Sequence, residues 1–237
     1  RRLCVPRTVH VIGNGDGAVL YHEAPRKGLK LTCNLPPFPV EGVYSTCMVD
    51  FKMMRTINSG IIEVPGDWIL GARPKKYMES NPNFHMKHAN QIKMFYTELP
   101  KYAANYTDFN CGHMAVYFAA EHLKADTIHM YGFDSIFDFN LRSCTDHYIS
   151  SDRGGMNNNR LTNNWRPLWN NIFKDFDGGG NHQRVEFIMH HMHDALKFKI
   201  PNNVIIETYG KRGEILPPKQ KKKHGDWTWR PPADGVM

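Results

Sequence analysis

The 237-residue sequence is first informative through what it lacks. No apolar run approaches the ~20 residues that a membrane span requires, and we expect no signal peptide. There is no internal repeat, so the chain is not organised as a repeat array. Hydrophobic residues make up 41% and aromatic residues 12% of the sequence. A chain of this length and composition is expected to fold around its own apolar core, without disulfides or metal.

Cysteine is scarce and irregularly placed. The five cysteines are widely spaced and include no C-x-x-C pair, so the sequence predicts neither a zinc knuckle nor a redox dithiol. Cys33 and Cys47 end strand-like apolar runs, where a free thiol behaves as a small hydrophobe. Free thiols are typical of a reducing compartment, and we expect the protein in the cytoplasm.

Positive charge exceeds negative charge, with 30 Lys and Arg against 23 Asp and Glu, and much of the excess lies near the end of the chain. A tail over 211–237 contains the basic run Lys219 to Lys223, followed by Trp227 and Trp229. Such a tail binds nucleic acid through phosphate contacts and base stacking, or it is a solvated segment whose tryptophans cover part of the domain. The net charge of +7 also fits a phosphate-bearing ligand.

Short β-branched runs alternate with amphipathic stretches along the rest of the chain. The runs predict strands at 8–12, 29–33, 44–49, 61–64, 68–70, 127–131, 184–189 and 204–207. The clearest helix is predicted at 112–123, with others at 51–57, 85–99 and 165–176. A polar loop at 140–164 is long enough to indicate a functional or mobile segment. The alternation predicts one α/β, Rossmann-like domain over 1–210, with a mostly parallel open sheet and helices on both faces.

A glycine-rich turn follows the first predicted strand. It consists of Gly13, Asn14, Gly15, Asp16 and Gly17. Glycine allows backbone to approach a ligand closely, and the N–H groups of such a turn can hold phosphate. The spacing differs from the G-x-G-x-x-G dinucleotide fingerprint and from a P-loop. The turn therefore predicts a ligand site or, equally, only a tight connection.

Polar residues end other predicted strands. Asn34 ends the second strand, Asp50 ends the third, and Asp134 follows the strand at 127–131. Ligands of open parallel sheets bind beyond the carboxyl ends of the strands, so Asn34 and Asp50 are candidates for contacting a ribose or a base edge. The alternative for both residues is to cap the segment that follows.

The start of the clearest helix is a candidate phosphate site. Asn110, Cys111 and Gly112 precede its apolar face, and the N–H groups and dipole of a helix N-terminus favour an anion. The alternative is that Asn110 is only the N-cap of this helix.

Residue spacing does not predict a metal site. The D-x-D at Asp175 and Asp177 is followed by three glycines and predicts a solvent turn, and the pair Asp134 and Asp138 is a weak signal. The densest histidine groups are His190, His191 and His193, and His85 with His88. No cysteine lies near them, so they are interpreted as surface histidines rather than zinc ligands. We expect no bound metal or other resident cofactor.

The order of five short motifs resembles a known family. V-I-G-N-G-D-G, C-N, V-D, N-C-G-H-M-A and M-Y-G-F-D occur in the order and spacing of the small bacterial sialyltransferases. The sequence looks closer still to uncharacterised phage proteins that share this glycosyltransferase-like fold. The resemblance spans roughly 9–148. Where the family has a G-N-G-P-S turn, this sequence has G-N-G-D-G and therefore lacks the Pro-Ser. Where the family has S-G before the long helix, this sequence has Cys111-Gly112.

The resemblance implies a sugar-nucleotide donor held by Gly13, Asn14, Gly15 and Asn34, with phosphate near Cys111 and Gly112. Such an enzyme transfers the sugar to a hydroxyl acceptor and needs a general base, commonly histidine. His147 lies in the corresponding loop, although the family's position can also align with Ser151. His147 and Asp134 are the predicted catalytic residues. The family does not depend on metal, and a phage origin would place the protein in the host cytoplasm.

Two other functions fit the same sequence. One is a non-catalytic nucleotide-binding or structural protein of this fold, which the missing Pro-Ser and the displaced histidine favour. The other is a Rossmann-type methyltransferase, in which an acidic residue ending the second strand would bind ribose. Asn34 stands at that position instead. The acceptor is not identified by the sequence; modified DNA, a polysaccharide or a protein each fit.

Overall fold

A computed structural model describes residues 7–23, 27–103, 109–136, 159–192 and 200–209. Several of the predictions concern residues outside these ranges. They are the catalytic role of His147 or Ser151, the acidic residue Asp138, the third histidine His193, and the basic tail at 211–237 with its tryptophans.

The described residues form eight strands and six α-helices. The strands are β1 (Thr8–Ile12), β2 (Leu29–Cys33), β3 (Ser45–Met48), β4 (Trp68–Leu70), β5 (Ile92–Phe95), β6 (Thr127–Tyr131), β7 (Glu186–His191) and β8 (Val204–Thr208). The helices are α1 (Leu20–Glu23), α2 (Phe51–Asn58), α3 (Ala72–Ser80), α4 (Pro82–His88), α5 (Cys111–Glu121) and α6 (Asn159–Asp175). Short 3-10 turns cover Asp16–Val19, Ala89–Gln91 and Asp134–Ile136.

All eight strands belong to one sheet in the order β5-β4-β3-β2-β1-β6-β7-β8, and every pair is parallel. The chain builds outward from β1 to β5 in one direction, then returns to add β6, β7 and β8 on the other side of β1. The order of the strands therefore reverses between β1 and β6. This arrangement confirms the predicted α/β, Rossmann-like parallel sheet.

Successive strand residues point to opposite faces of the sheet, and helices cover both faces. Val9 and Val11 of β1 belong to the large core beneath α5 and α6. Ile12 faces the opposite side and packs with Tyr21 of α1 and with Tyr131. β1 is thus buried on both faces of the sheet.

The structure corrects the prediction in the weakly patterned stretch before α5. The single helix expected at 85–99 is wrong, because α4 ends at His88 and Ile92–Phe95 forms the edge strand β5. Pairing with β4 gives this short apolar segment backbone partners that sequence periodicity does not reveal. The strand expected at 61–64 is also wrong, since these residues follow the left-handed Gly60 and form no ladder.

Among the residues that the structure describes, no helix is long and apolar enough to cross a membrane.

Candidate functional site

The parallel sheet brings the predicted ligand residues to a single edge. The glycine turn (residues 13–17) follows β1, Asn34 follows β2, Asp50 lies two residues beyond β3, and Asp134 follows β6. The start of α5 reaches the same edge, where Cys33 Sγ lies 3.7 Å from the carbonyl oxygen of Cys111. Since β1 and β6 flank the reversal of strand order, this edge is where open sheets of this type bind ligands. We call it the carboxyl-edge site.

The glycine turn packs directly on the segment that leaves β6. The Gly13 N–H donates to the Tyr131 carbonyl at 2.7 Å, and the Gly15 N–H donates to the Gly132 carbonyl at 2.9 Å. The Gly17 N–H donates to Asp134 Oδ2 at 2.9 Å. These three N–H groups, which the sequence suggested for phosphate, thus have partners inside the protein. The glycines are required at least for this close approach of two loops.

Asp134 lies beneath the glycine turn rather than on the surface. It is 3% exposed, and besides the Gly17 N–H its carboxylate faces His191, whose Nδ1 lies 4.0 Å from Oδ1. The contacts that the structure shows for Asp134 therefore fix the shape of the turn. Its predicted catalytic role stays a prediction.

Asn34 combines a strained backbone with an unsatisfied oxygen. Its φ of 53° is left-handed, a conformation that costs a non-glycine residue about 1 kcal/mol. The residue is 5% exposed, and Oδ1 has no hydrogen-bond partner among the described residues. Leaving a buried acceptor unpaired costs about 1–3 kcal/mol. Strain and an unsatisfied polar atom at one residue are typical of a functional site.

Asp50 is held by an ion pair and makes no capping bond. It precedes α2 with extended backbone, but its side chain accepts nothing from the first turn of that helix. Instead Asp50 Oδ1 accepts from Arg73 Nη2 at 2.9 Å, and the two side chains are 35% and 17% exposed. Arg73 thereby fixes the carboxylate at the end of β3, next to Asn34 at the end of β2.

Asn110 acts as the N-cap of α5, the simpler of its two predicted roles. Its Oδ1 accepts from the His113 N–H at 2.9 Å, and its own N–H donates to His113 Nδ1 at 3.1 Å. This capping box does not use the N–H groups of Cys111 and Gly112, which begin the helix. The positive end of the α5 dipole thus points at the carboxyl-edge site.

Gly112 also has a packing role at this position. A Cβ atom added to Gly112 would lie 2.9 Å from Cε1 of Phe133, the residue before Asp134. The absence of a side chain therefore lets α5 begin directly against the segment that leaves β6.

The interpretation of the clustered histidines as surface residues is wrong for His190 and His191. Both are buried, at 3% and 1% exposed, and they point to opposite faces of β7 as expected for a strand. His190 Nε2 lies 2.9 Å from His129 Nδ1, and His190 Nδ1 lies 2.7 Å from the Tyr209 hydroxyl. Burial was not apparent from sequence because β7 becomes an interior strand only when β8 pairs with it.

Sequence analysis missed two histidines that belong to the same buried network. His10 of β1 and His129 of β6 are register partners, and their rings stack at 4.9 Å between centroids. The signal that could have found them is their place inside the apolar runs T-V-H-V-I and T-I-H-M-Y. The network ties β1, β6 and β7 together through contacts between their side chains.

No group of metal-binding side chains is present among the described residues. Asp177 forms the expected solvent turn, in which its Oδ1 accepts from the Gly179 N–H at 2.8 Å.

Comparison of the chain with models of protein families, with curated proteins and with solved structures gave no match. The function is therefore inferred from the geometry of the carboxyl-edge site and from the motif resemblance.

Proposed function

We propose that the protein binds a nucleotide-sugar donor at the carboxyl-edge site and transfers its sugar to a hydroxyl acceptor. The observation that carries the proposal is Asn34, whose buried Oδ1 has no partner among the described residues while its backbone is held left-handed. A ligand hydroxyl or amino group that donates to Oδ1 would offset the cost of burying that oxygen.

The neighbouring groups suit different parts of the nucleotide-sugar donor. Asn34 and the carboxylate of Asp50 present acceptors at adjacent strand ends, which suits the hydroxyls of a ribose or the amino edge of a base. The first N–H groups of α5, at Cys111 and Gly112, suit the phosphate. Arg73 orients the Asp50 carboxylate through their 2.9 Å ion pair.

The proposed reaction requires one proton transfer. A general base takes the proton of the acceptor hydroxyl, the acceptor oxygen bonds to the sugar, and the bond between sugar and phosphate breaks to release the nucleotide. The motif resemblance assigns the base to His147. No metal or other resident cofactor is invoked.

A non-catalytic nucleotide-binding protein is the second candidate. The observation that favours it is the burial of Asp134 under the glycine turn, where its contacts hold the loop. Both candidates predict binding of a nucleotide, and only the first predicts turnover.

Replacing Asn34 by glycine tests the site with little disturbance of the fold. Glycine accepts the left-handed backbone and removes the buried oxygen, so we expect unchanged or higher stability in the free protein. We expect nucleotide affinity to fall about 10- to 100-fold, which corresponds to roughly 1.4–2.8 kcal/mol. Calorimetric titration with CMP, UDP and GDP and their sugar conjugates measures the affinity, and urea unfolding measures the stability.

Lys124 provides the matched control, because it is the other non-glycine residue with a φ of 53° among the described residues. Lys124→Gly relieves the same backbone strain far from the site and leaves affinity unchanged. Equal affinity of Asn34→Gly and the unaltered protein would remove Asn34 from the site. A thermal shift with S-adenosylmethionine alone would instead favour the methyltransferase.

Replacing His147 by alanine separates the two nucleotide-binding candidates. If His147 is the general base, His147→Ala loses turnover by about 100-fold or more, while nucleotide affinity is retained. In the absence of a known acceptor, turnover is measured as hydrolysis of the donor, which is monitored by the release of free sugar. Hydrolysis that is absent from the unaltered protein as well, despite tight nucleotide binding, would support the non-catalytic role.

A further inference from the structure

Three buried histidine rings contact one another across the sheet. His10 of β1, His129 of β6 and His190 of β7 are 0%, 5% and 3% exposed. The rings of His10 and His129 stack at 4.9 Å between centroids, and His129 Nδ1 lies 2.9 Å from His190 Nε2. Imidazole titrates near neutral pH in water, so the interior of this sheet holds three adjoining groups that gain charge in mild acid.

The two partners of His10 fit a neutral ring. Its Nε2 lies 3.2 Å from the carbonyl oxygen of Lys27, which can only accept, so this nitrogen carries a hydrogen. Its Nδ1 lies 3.2 Å from the hydroxyl of Tyr131, which donates to that nitrogen when the ring is neutral. His10 therefore satisfies both contacts without taking up a further proton.

The contact between His129 and His190 requires that one of the two facing nitrogens carries no hydrogen. At 2.9 Å one nitrogen donates and the other accepts. The second ring nitrogen of His190, Nδ1, lies 2.7 Å from the Tyr209 hydroxyl and 3.3 Å from Glu207 Oε2. One proton added to His190 is therefore accommodated, since both of its N–H groups have acceptors and the Glu207 carboxylate balances the charge. A second proton, on His129, sets N–H against N–H and two positive charges side by side.

The other titratable and charged groups on this face, among the described residues, do not balance a second positive charge. Lys30, the register partner of His10 on β2, is itself positive, and its Nζ lies 5.9 Å from the ring centroid of Tyr21. The hydroxyls of Tyr21, Tyr131 and Tyr209 are neutral in mild acid. His22 of α1 stacks on Phe38. His191 and Asp134 contact each other on the opposite face of the sheet.

We propose that the contact between His129 and His190 is an acid-sensitive switch that loosens the carboxyl-edge site; the effect on ligand binding rests on the proposed nucleotide function. Below about pH 6 the unfolded chain protonates both imidazoles, whereas the folded pair holds one added proton. The unfolded state then binds one proton more than the folded state. Stability therefore decreases as the pH falls, and the pair contributes about a tenfold loss in the folding equilibrium constant per pH unit.

Tyr131 connects the switch to the carboxyl-edge site. Its ring lies 4.3 Å from the His190 ring and nearly parallel to it, and its hydroxyl contacts His10. Its backbone carbonyl accepts from the Gly13 N–H at 2.7 Å, at the start of the glycine turn. Separation of the two imidazoles displaces the ring that stacks on His190, together with the backbone that holds Gly13. We therefore expect the glycine turn to lose its contact with the end of β6 and nucleotide to bind more weakly.

His129→Asn tests the switch, because the asparagine amide can hydrogen-bond near the position of Nδ1 and does not titrate. Urea unfolding is measured from pH 7.5 to pH 5. Below about pH 6 the folding equilibrium constant of the unaltered protein is expected to fall about tenfold more per pH unit than that of the variant. His122→Asn, at an exposed histidine, is the matched control and keeps the full pH dependence.

A second measurement needs no variant. Spectra of the unaltered protein labelled with 15N-histidine follow the protonation of each ring. While the protein remains folded, His129 and His190 are expected to take up one proton between them, not two.

Nucleotide affinity is compared at pH 7.5 and pH 5.5, with whichever of CMP, UDP, GDP or their sugar conjugates binds. The affinity of the unaltered protein is expected to fall about fivefold or more beyond that of His129→Asn. The same ligand is used for both proteins, so the titration of its own phosphate cancels.

Each contrary result has a distinct meaning. Equal pH dependence of unfolding in the unaltered protein and His129→Asn, or two protons taken up by the folded pair, overturns the switch. Affinities that change in parallel in the two proteins overturn its effect on the site. If the unaltered protein binds no nucleotide at pH 7.5, the proposed function fails, and the acid-sensitive pair is then decided by unfolding and the histidine spectra alone.

Discussion

Gly15→Ala is expected to destabilise the protein by about 3 kcal/mol or more, a large share of a typical domain's total stability. A Cβ atom at this position would overlap Asp134 Oδ2 and would lie 2.7 Å from the Gly132 carbonyl oxygen. Neither neighbour can move freely. Asp134 Oδ2 accepts from the Gly17 N–H, and the Gly132 carbonyl accepts from the Gly15 N–H. The free energy of unfolding from urea titration measures the effect.

Gly180→Ala is the control for this substitution. Its added Cβ would meet only the Asp175 carbonyl oxygen at 4.0 Å, so the change in stability is expected within about 0.5 kcal/mol. Adding Asp134→Ala to Gly15→Ala should restore only part of the loss, because the Gly132 carbonyl still blocks the methyl group. A Gly15→Ala protein as stable as Gly180→Ala would contradict the close packing of the two loops. It would also make the N–H groups of the glycine turn candidates for ligand binding again.

His190→Ala is expected to cost about 3 kcal/mol, because it removes a buried ring together with its hydrogen bonds. The ring lies 4.3 Å from that of Tyr131 and nearly parallel to it, and its nitrogens contact His129 and the Tyr209 hydroxyl. The substitution leaves a cavity between β6 and β8 and takes a partner from each of two buried polar groups. The free energy of unfolding from urea titration tests the expectation. The affinity for nucleotide is measured in parallel.

His122→Ala serves as the matched control, since His122 is exposed and stacks on Phe118 from the surface. Its cost is expected below about 1 kcal/mol. A double-mutant cycle of His190→Ala with Tyr209→Phe isolates the hydrogen bond between them, and we expect a coupling of about 1 kcal/mol. Equal losses at His190 and His122 would show that the buried network contributes no more than an exposed ring.

The candidate site was partly visible in the sequence, and the reason is the parallel sheet. Once β1, β2 and β3 are recognised as parallel, their ends must share one edge, so Asn34 and Asp50 were placed together correctly. The sequence left the chemistry of each residue open. Asn110 and Asp50 were both candidates for capping. Only Asn110 makes the cap, because Arg73 engages Asp50 from a helix 23 residues further along the chain.

The sequence by itself determined the class of fold. Alternating apolar runs and amphipathic helices have few ways to bury both faces of their strands, and a doubly covered parallel sheet is one of them. Tertiary structure decided the rest, because contacts between residues distant in sequence leave no periodic signal. Such contacts put Asp134 beneath the glycine turn, buried His190 beside His129, and brought the Cys33 thiol against the Cys111 carbonyl. Each of them joins elements more than 50 residues apart.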